Sequence, residues 1–173
     1  MFKNVREAHT RNLTRVLTDL NGWTEEMCVE VMRPNMAGAW VRIHDGGDFF
    51  SDEYLEAWLH IASCAPDTTF YCYTKEVERF RRIVEPANLP NFRYVFSYGG
   101  KYDHLITDAD RQCDVFPDNE ALEAAGYSDQ ADSDLLAVTG DTKVGIVVNR
   151  HPGANKAMGG KSLREQQAAL RRA

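Results

Sequence analysis

One short run, Trp40-Val41-Arg42-Ile43-His44-Asp45-Gly46-Gly47-Asp48-Phe49, places a guanidinium, an imidazole and two carboxylates around a glycine pair. Those groups suffice for acid–base work. Arg42 would hold an anionic or carbonyl group, His44 would move a proton, and Asp48 would balance charge. Lys75, in Phe70-Tyr71-Cys72-Tyr73-Thr74-Lys75, offers a second electrostatic partner. Arg42, His44, Asp48 and Lys75 are therefore the catalytic candidates, with Tyr73, Ser97, Asp103 and His104 as substrate contacts. Other polar groups, including Asn149, Arg150 and His151, fall at the carboxyl end of a later apolar run.

These residues converge only if strands deliver them to one edge. Val41 and Ile43 alternate with Trp40, Arg42 and His44, which predicts a strand over 39–45 with the aliphatic pair on one face. Ser51 caps the helix that follows, about 52–64, and Asp52 and Glu53 suit its positive end. Further strands are predicted over 69–74, 92–97 and 143–148, with a helix over about 76–84 that Pro86 stops. Ahead of them, a helix over 3–19 ends at Asn21-Gly22 and a second, capped by Thr24, runs from Glu25 to Met32. Residues 101–142 are less legible, with a helix over 118–125 and either a strand or a helical turn over 134–138. Strands alternating with helices predict an α/β fold with a mostly parallel sheet, either a partial barrel or an open sheet flanked by helices. Ligands of such sheets bind at the carboxyl ends of the strands.

The 173 residues fit one α/β domain over 1–152, followed by a Gly-rich linker and a short basic helix over 153–173. No stretch approaches the ~18 apolar residues of a membrane span. The start lacks the apolar run of a signal peptide, so a cytoplasmic location and no membrane partner are expected. A net charge of −6 argues against non-specific nucleic-acid binding, which rests on phosphate neutralisation. Acidic residues crowd 108–141 and read as a solvated surface.

Other chemistries fare less well. Cys28, Cys64, Cys72 and Cys113 show no metal-ligand spacing and read as reduced thiols; His60 and His9 read as exposed. His44, Asp45 and Asp48 would share a metal only if the backbone turns at Asp45, so no metal is expected and no cofactor is indicated. Asp48, Asp52 and Glu53 would repel a phosphate at the helix that follows the glycines. The tail around Gly159-Gly160-Lys161-Ser162 misses the phosphate-binding loop, because Asn155 stands where its first glycine belongs.

Val41 to Ser51, Glu53-Tyr54, Trp58, Phe70 to Lys75, Ser97-Tyr98-Gly99-Gly100 and Gly126-Tyr127-Ser128-Asp129 resemble the phage protein family called gene product 88. The resemblance extends from about Asn4 to Val148 and is most specific over 41–75. It implies a phage or prophage protein acting in the bacterial host cytoplasm, and supplies no biochemical role. Members commonly carry a cysteine-rich stretch before the segment resembling Phe2 to Arg6, which is absent here. Cysteines ahead of a parallel β/α array also characterise radical-SAM partial barrels, whose cluster needs three closely spaced thiolates.

Two functions compete. A small enzyme or ligand-binding domain requires Arg42, His44 and Lys75 to line one pocket at the strand ends. A non-catalytic accessory protein would bind a host protein or nucleic acid through its surface, with Tyr71, Tyr73 and Tyr98 available for base stacking.

Overall fold

The computed structural model describes residues 3–148 and 158–172. Helices α1 (Lys3–Thr18) and α2 (Leu20–Val31) precede β1 (Trp40–Arg42), α3 (Asp52–Cys64), β2 (Thr69–Thr74), α4 (Val77–Ala87) and β3 (Phe92–Ser97). There follow β4 (Gln112–Phe116), α5 (Asn119–Ala124), β5 (Ser128–Asp129), α6 (Leu136–Thr139), β6 (Lys143–Val147) and α7 (Leu163–Leu170). Among the described residues the strands form one sheet in the order β1-β2-β3-β4-β6-β5. Every pairing is parallel, and the sheet curls into a half-barrel. The predicted α/β class and partial barrel are thus what the chain adopts.

Alternation along the strands separates two faces. Phe70, Phe92 and Phe96 point to the helical layer, where Trp58 of α3 and Phe80 of α4 meet them in tilted and edge-on ring contacts. The opposite, inner face carries Tyr73, Val95, Cys113 and Val144, closed by Ala137 of α6. Asn91 ties the turn before β2 to the sheet, its amide donating to the carbonyls of Ala62, Ala65 and Thr68 at 2.9–3.0 Å.

Several boundaries differ from expectation for identifiable reasons. The first helical break falls at Asp19, not at Asn21-Gly22, because the Asp19 carboxylate accepts the Gly22 N–H and starts α2 there. A Cβ at Gly22 would lie 2.3 Å from that carboxylate, so glycine here serves the cap instead of ending a helix. Pro86 lies inside the last turn of α4, which closes on a left-handed Asn88. Two strands, β4 and β5, lie in the stretch that was hard to read, and 134–138 leads into the helical turn α6. Most acidic residues there, including Glu120, Glu123, Asp129 and Asp132, are exposed as expected, while a few are structural. Asp118 caps α5, Asp110 pairs with Arg81 at 2.8 Å, and Asp114 and Asp134 face inward to partners described below. Asn149, Arg150, His151 and the linker up to Ala157 lie outside the described residues.

Candidate functional site at the carboxyl ends of the strands

Strand β1 stops at Arg42, although Ile43 still donates to Tyr71 at 2.8 Å and is buried. His44 then takes φ +63°, a left-handed conformation rare for a residue with a Cβ. That turn breaks the strand alternation that would put His44 beside Arg42. The imidazole packs instead toward α3, 4.7 Å from the Phe49 ring and 5.6 Å from Tyr54, nearly parallel to the latter. Phe50 also stacks on Tyr54 at 4.7 Å, so the three rings form an aromatic column. Nε2 of His44 shares a 2.9 Å hydrogen bond with the Tyr54 hydroxyl, while its buried Nδ1 has no protein partner. Burial lowers the pKa of His44, with the Asp48 charge partly opposing, so the ring is neutral at pH 7.

His44 forms part of the wall of a cavity of about 390 Å³, with His9, Asn12 and Leu13 of α1, Asp45 to Asp48, Phe50 and Tyr54. Asp48 fixes this loop. Its Oδ1 accepts from Phe49 N and from the Thr74 hydroxyl, each at 2.8 Å, and Oδ2 accepts from Lys75 N at 2.7 Å. The carboxylate therefore latches the β1–α3 loop to the end of β2.

Lys75 occupies a separate, closed package. Its ammonium donates to Ser97 Oγ at 3.0 Å and to the Tyr98 carbonyl, beneath the Tyr98-Gly99-Gly100 loop. A Cβ on Gly100 would lie 2.8 Å from Lys75 Cβ, so the loop closes over the lysine only with glycine there. Asp103, nearly buried, accepts from Gly99 N and Gly100 N at 3.0 and 2.8 Å. Burial lowers the Lys75 pKa against the opposing charges of Asp103, Asp48, Cys113 and Asp114. His104 borders a different cavity, about 360 Å³, with Tyr98, Asp103 and the α7-side arginines Arg164, Arg171 and Arg172.

Arg42 lies on the inner face. It pairs with Asp134 at 3.1 Å and covers the Tyr73 ring at 5.0 Å. Asp134 also accepts from the hydroxyls of Tyr71 at 2.9 Å and Tyr73 at 2.6 Å, and Gln130 donates to Tyr73. Tyr71 is pushed up to about 12 by burial and by Asp134. The basic tail covers the other end of the edge: Arg164 stacks over Tyr98, and Asp114, buried and raised by that burial, accepts from Arg164 N at 3.3 Å. Tyr71, Tyr73 and Tyr98 are thus engaged or covered, leaving no free ring surface of the kind base stacking needs.

Among the described cavities none is lined by Arg42, His44 and Lys75 together. Asp48 is the residue common to the two halves, close to His44 and bonded at Lys75. Sequence reasoning missed Tyr54, Asp114, Gln130 and Asp134; Ser51 at the helix start hinted at Tyr54, but nothing local marked the others. No described trio of thiolates exists for an iron–sulfur cluster: the cysteine pair that meets, Cys28 and Cys64, lies between α2 and the end of α3. That end of α3 leads back to the amino end of β2, so a three-thiolate cluster does not fit the described residues at the strand ends.

Fold and site together define an all-parallel α/β half-barrel with a cavity at the carboxyl end of its first strand. The chain belongs to the gene product 88 family, whose model matches residues 1–172. No curated protein and no solved structure matches it. Among the described residues no helix is long and apolar enough to cross a membrane.

Proposed function

We propose that this gene product 88 protein is a phage or prophage-encoded protein that binds a small organic molecule in the His44 cavity. The carrying observation is that His44, held in a left-handed backbone conformation, lines a cavity of about 390 Å³ together with Asn12, Asp45, Asp48 and Tyr54. The Nδ1 of His44 is buried without a protein partner, a cost of about 1–3 kcal/mol that the fold carries to hold the ring in this wall. Asp45 and Asp48 disfavour an anion, while the Phe50–Tyr54–His44 column and Asn12 suit a planar molecule bearing an amine or amide. A neutral imidazole can also accept a proton from such a molecule. Arg42 and Lys75, each satisfied within the protein, hold the framework on either side.

A screen of small aromatic amines and amides by protein NMR tests this. Shifts are expected at the His44 ring and the Gly46 and Gly47 amides, and their loss in His44→Asn. Binding that maps elsewhere, or that His44→Asn leaves unchanged, refutes the reading.

A second reading rests on an exposed apolar face of α1 and α2. Leu17, Val29 and Met32 are each more than 60% exposed, beside a groove lined by Leu13, Val16, Trp23, Met27 and Phe50. Surfaces of this kind mark protein partners. Capture of a host protein that Leu17→Asp and Val29→Asp abolish, and His44→Asn does not, would favour it.

A further inference from the structure

The described cysteines and histidines come together at a place the proposed ligand cavity does not use. His60 and Cys64 are four residues apart on α3, so their side chains share one face of that helix. Cys28 faces them from α2. Cys28 Sγ lies 2.7 Å from Cys64 Sγ, Cys64 Sγ lies 3.9 Å from His60 Nε2, and all three donor atoms fall within 4.8 Å of one another. Cys28 is 9% exposed, and His60 is on the surface.

We propose that Cys28, His60 and Cys64 bind one thiophilic divalent cation, with Zn²⁺ the best match, and clamp α2 to α3. A tetrahedron with metal–sulfur bonds of ~2.3 Å has edges of about 3.8 Å, so the 3.9 Å Cys64–His60 separation already matches and the two sulfurs, 2.7 Å apart, would part by about 1 Å to admit the ion. Two sulfurs and an imidazole are the donor types that select zinc over magnesium or calcium, which take oxygen. His60 separates this site from a simple dithiol, because a disulfide has no use for a third donor. Water would supply the fourth ligand from the solvent side, where His60 is exposed. Binding converts two thiols to thiolates and releases two protons to solvent, with no change of oxidation state. Linear spacing conceals the site, since Cys28 stands 36 residues from Cys64 and is brought to it only by the packing of α2 on α3.

The full chain, reduced and stripped with a chelator, is titrated with ZnCl₂ and separately with CoCl₂. One Zn²⁺ per chain by elemental analysis is expected, with thiolate-to-cobalt charge-transfer absorption and tetrahedral ligand-field bands in the Co²⁺ form. Cys28→Ser and Cys64→Ser should abolish stoichiometric binding. His60→Ala, a surface change that leaves the fold intact by circular dichroism, should weaken it by at least the ~10–100-fold seen on losing a supporting group of a metal site. The Co²⁺ spectrum of the unaltered chain decides the matter even if a cysteine variant fails to fold. Absence of a stoichiometric ion, an octahedral cobalt spectrum without sulfur bands, or binding that His60→Ala leaves unchanged would each overturn the proposal. So would capture of the two sulfurs as a disulfide that excludes the metal under reducing conditions.

Discussion

Replacing His44 by Asn should flatten the stability of this protein across the mildly acidic range. Asn accepts the left-handed backbone at this position and does not titrate; its shorter side chain gives up the Nε2 bond to Tyr54, a loss that is the same across this pH range. In the folded chain burial holds the His44 pKa below its ordinary value of 6.5, and the Asp48 charge offsets only part of that. As pH falls through 6.5 the unfolded chain takes up a proton that the folded chain does not. Stability is therefore full above 6.5 and is lost on acidification toward the folded value. A full proton difference gives a slope of about 1.4 kcal/mol per pH unit. His44 retains some solvent contact, so a working figure is about 0.5–1 kcal/mol between pH 6.5 and 5.5. Asp19, Asp52 and Asp108 are held below the usual carboxylate range by their bonding partners and lose their contribution only at lower pH. Asp114, raised by burial, acts with the opposite sign above the ordinary carboxylate range. Subtracting the variant's slope from that of the unaltered protein removes these common terms. Urea unfolding at half-unit steps from pH 7.5 to 5.0 gives both slopes, and histidine NMR gives the His44 midpoint directly. Equal slopes, or a midpoint at or above 6.5, would refute the argument.

Further predictions concern the latches around the site. Asp48→Ala removes the acceptors of Phe49 N, the Thr74 hydroxyl and Lys75 N, and should cost about 2–4 kcal/mol in urea unfolding, with amide exchange quickening at 45–50. Asn91→Ala removes the buried amide shared by three carbonyls, of which those of Ala62 and Ala65 keep a backbone donor, and should cost about 1–3 kcal/mol; a loss below ~1 kcal/mol would show that water replaces the amide. Gly145→Ala places a Cβ 2.8 Å from Leu122 Cδ1 and 2.9 Å from the Phe116 ring, so thermal unfolding should report about 1–3 kcal/mol of overpacking. Asp134→Ala removes the carboxylate that, after burial, raises Tyr71 and Tyr73, and ultraviolet titration should show tyrosinate forming at lower pH than in the unaltered chain.

Local patterning determined much of this protein. Alternation defined β2 and β3 residue for residue, the Ser51 cap and its acidic first turn defined α3, and the βαβ rhythm required a parallel sheet. It also pointed to the end of β1 as a candidate site, where polar side chains follow the strand. Alternation failed at His44 itself, where one left-handed residue sends the imidazole away from Arg42 and into the aromatic column of α3. A φ angle of that sign is set by what surrounds it, here Ile43 held in the core and Asp48 latched to β2, and has no signature in the run Arg-Ile-His-Asp-Gly-Gly-Asp. Asp114 and Asp134 looked like solvated acids, since a carboxylate's sequence neighbours do not reveal that a tyrosine pair or a helix start will arrive from elsewhere. Cys28, His60 and Cys64 make the same point for metal ligands. Two of the three are a helical repeat written on α3, and the third joins them only because the apolar side of α2 must bury itself against α3. Side-chain type and local period thus come from the sequence, while the meeting of charges and donors far apart in the chain belongs to tertiary packing.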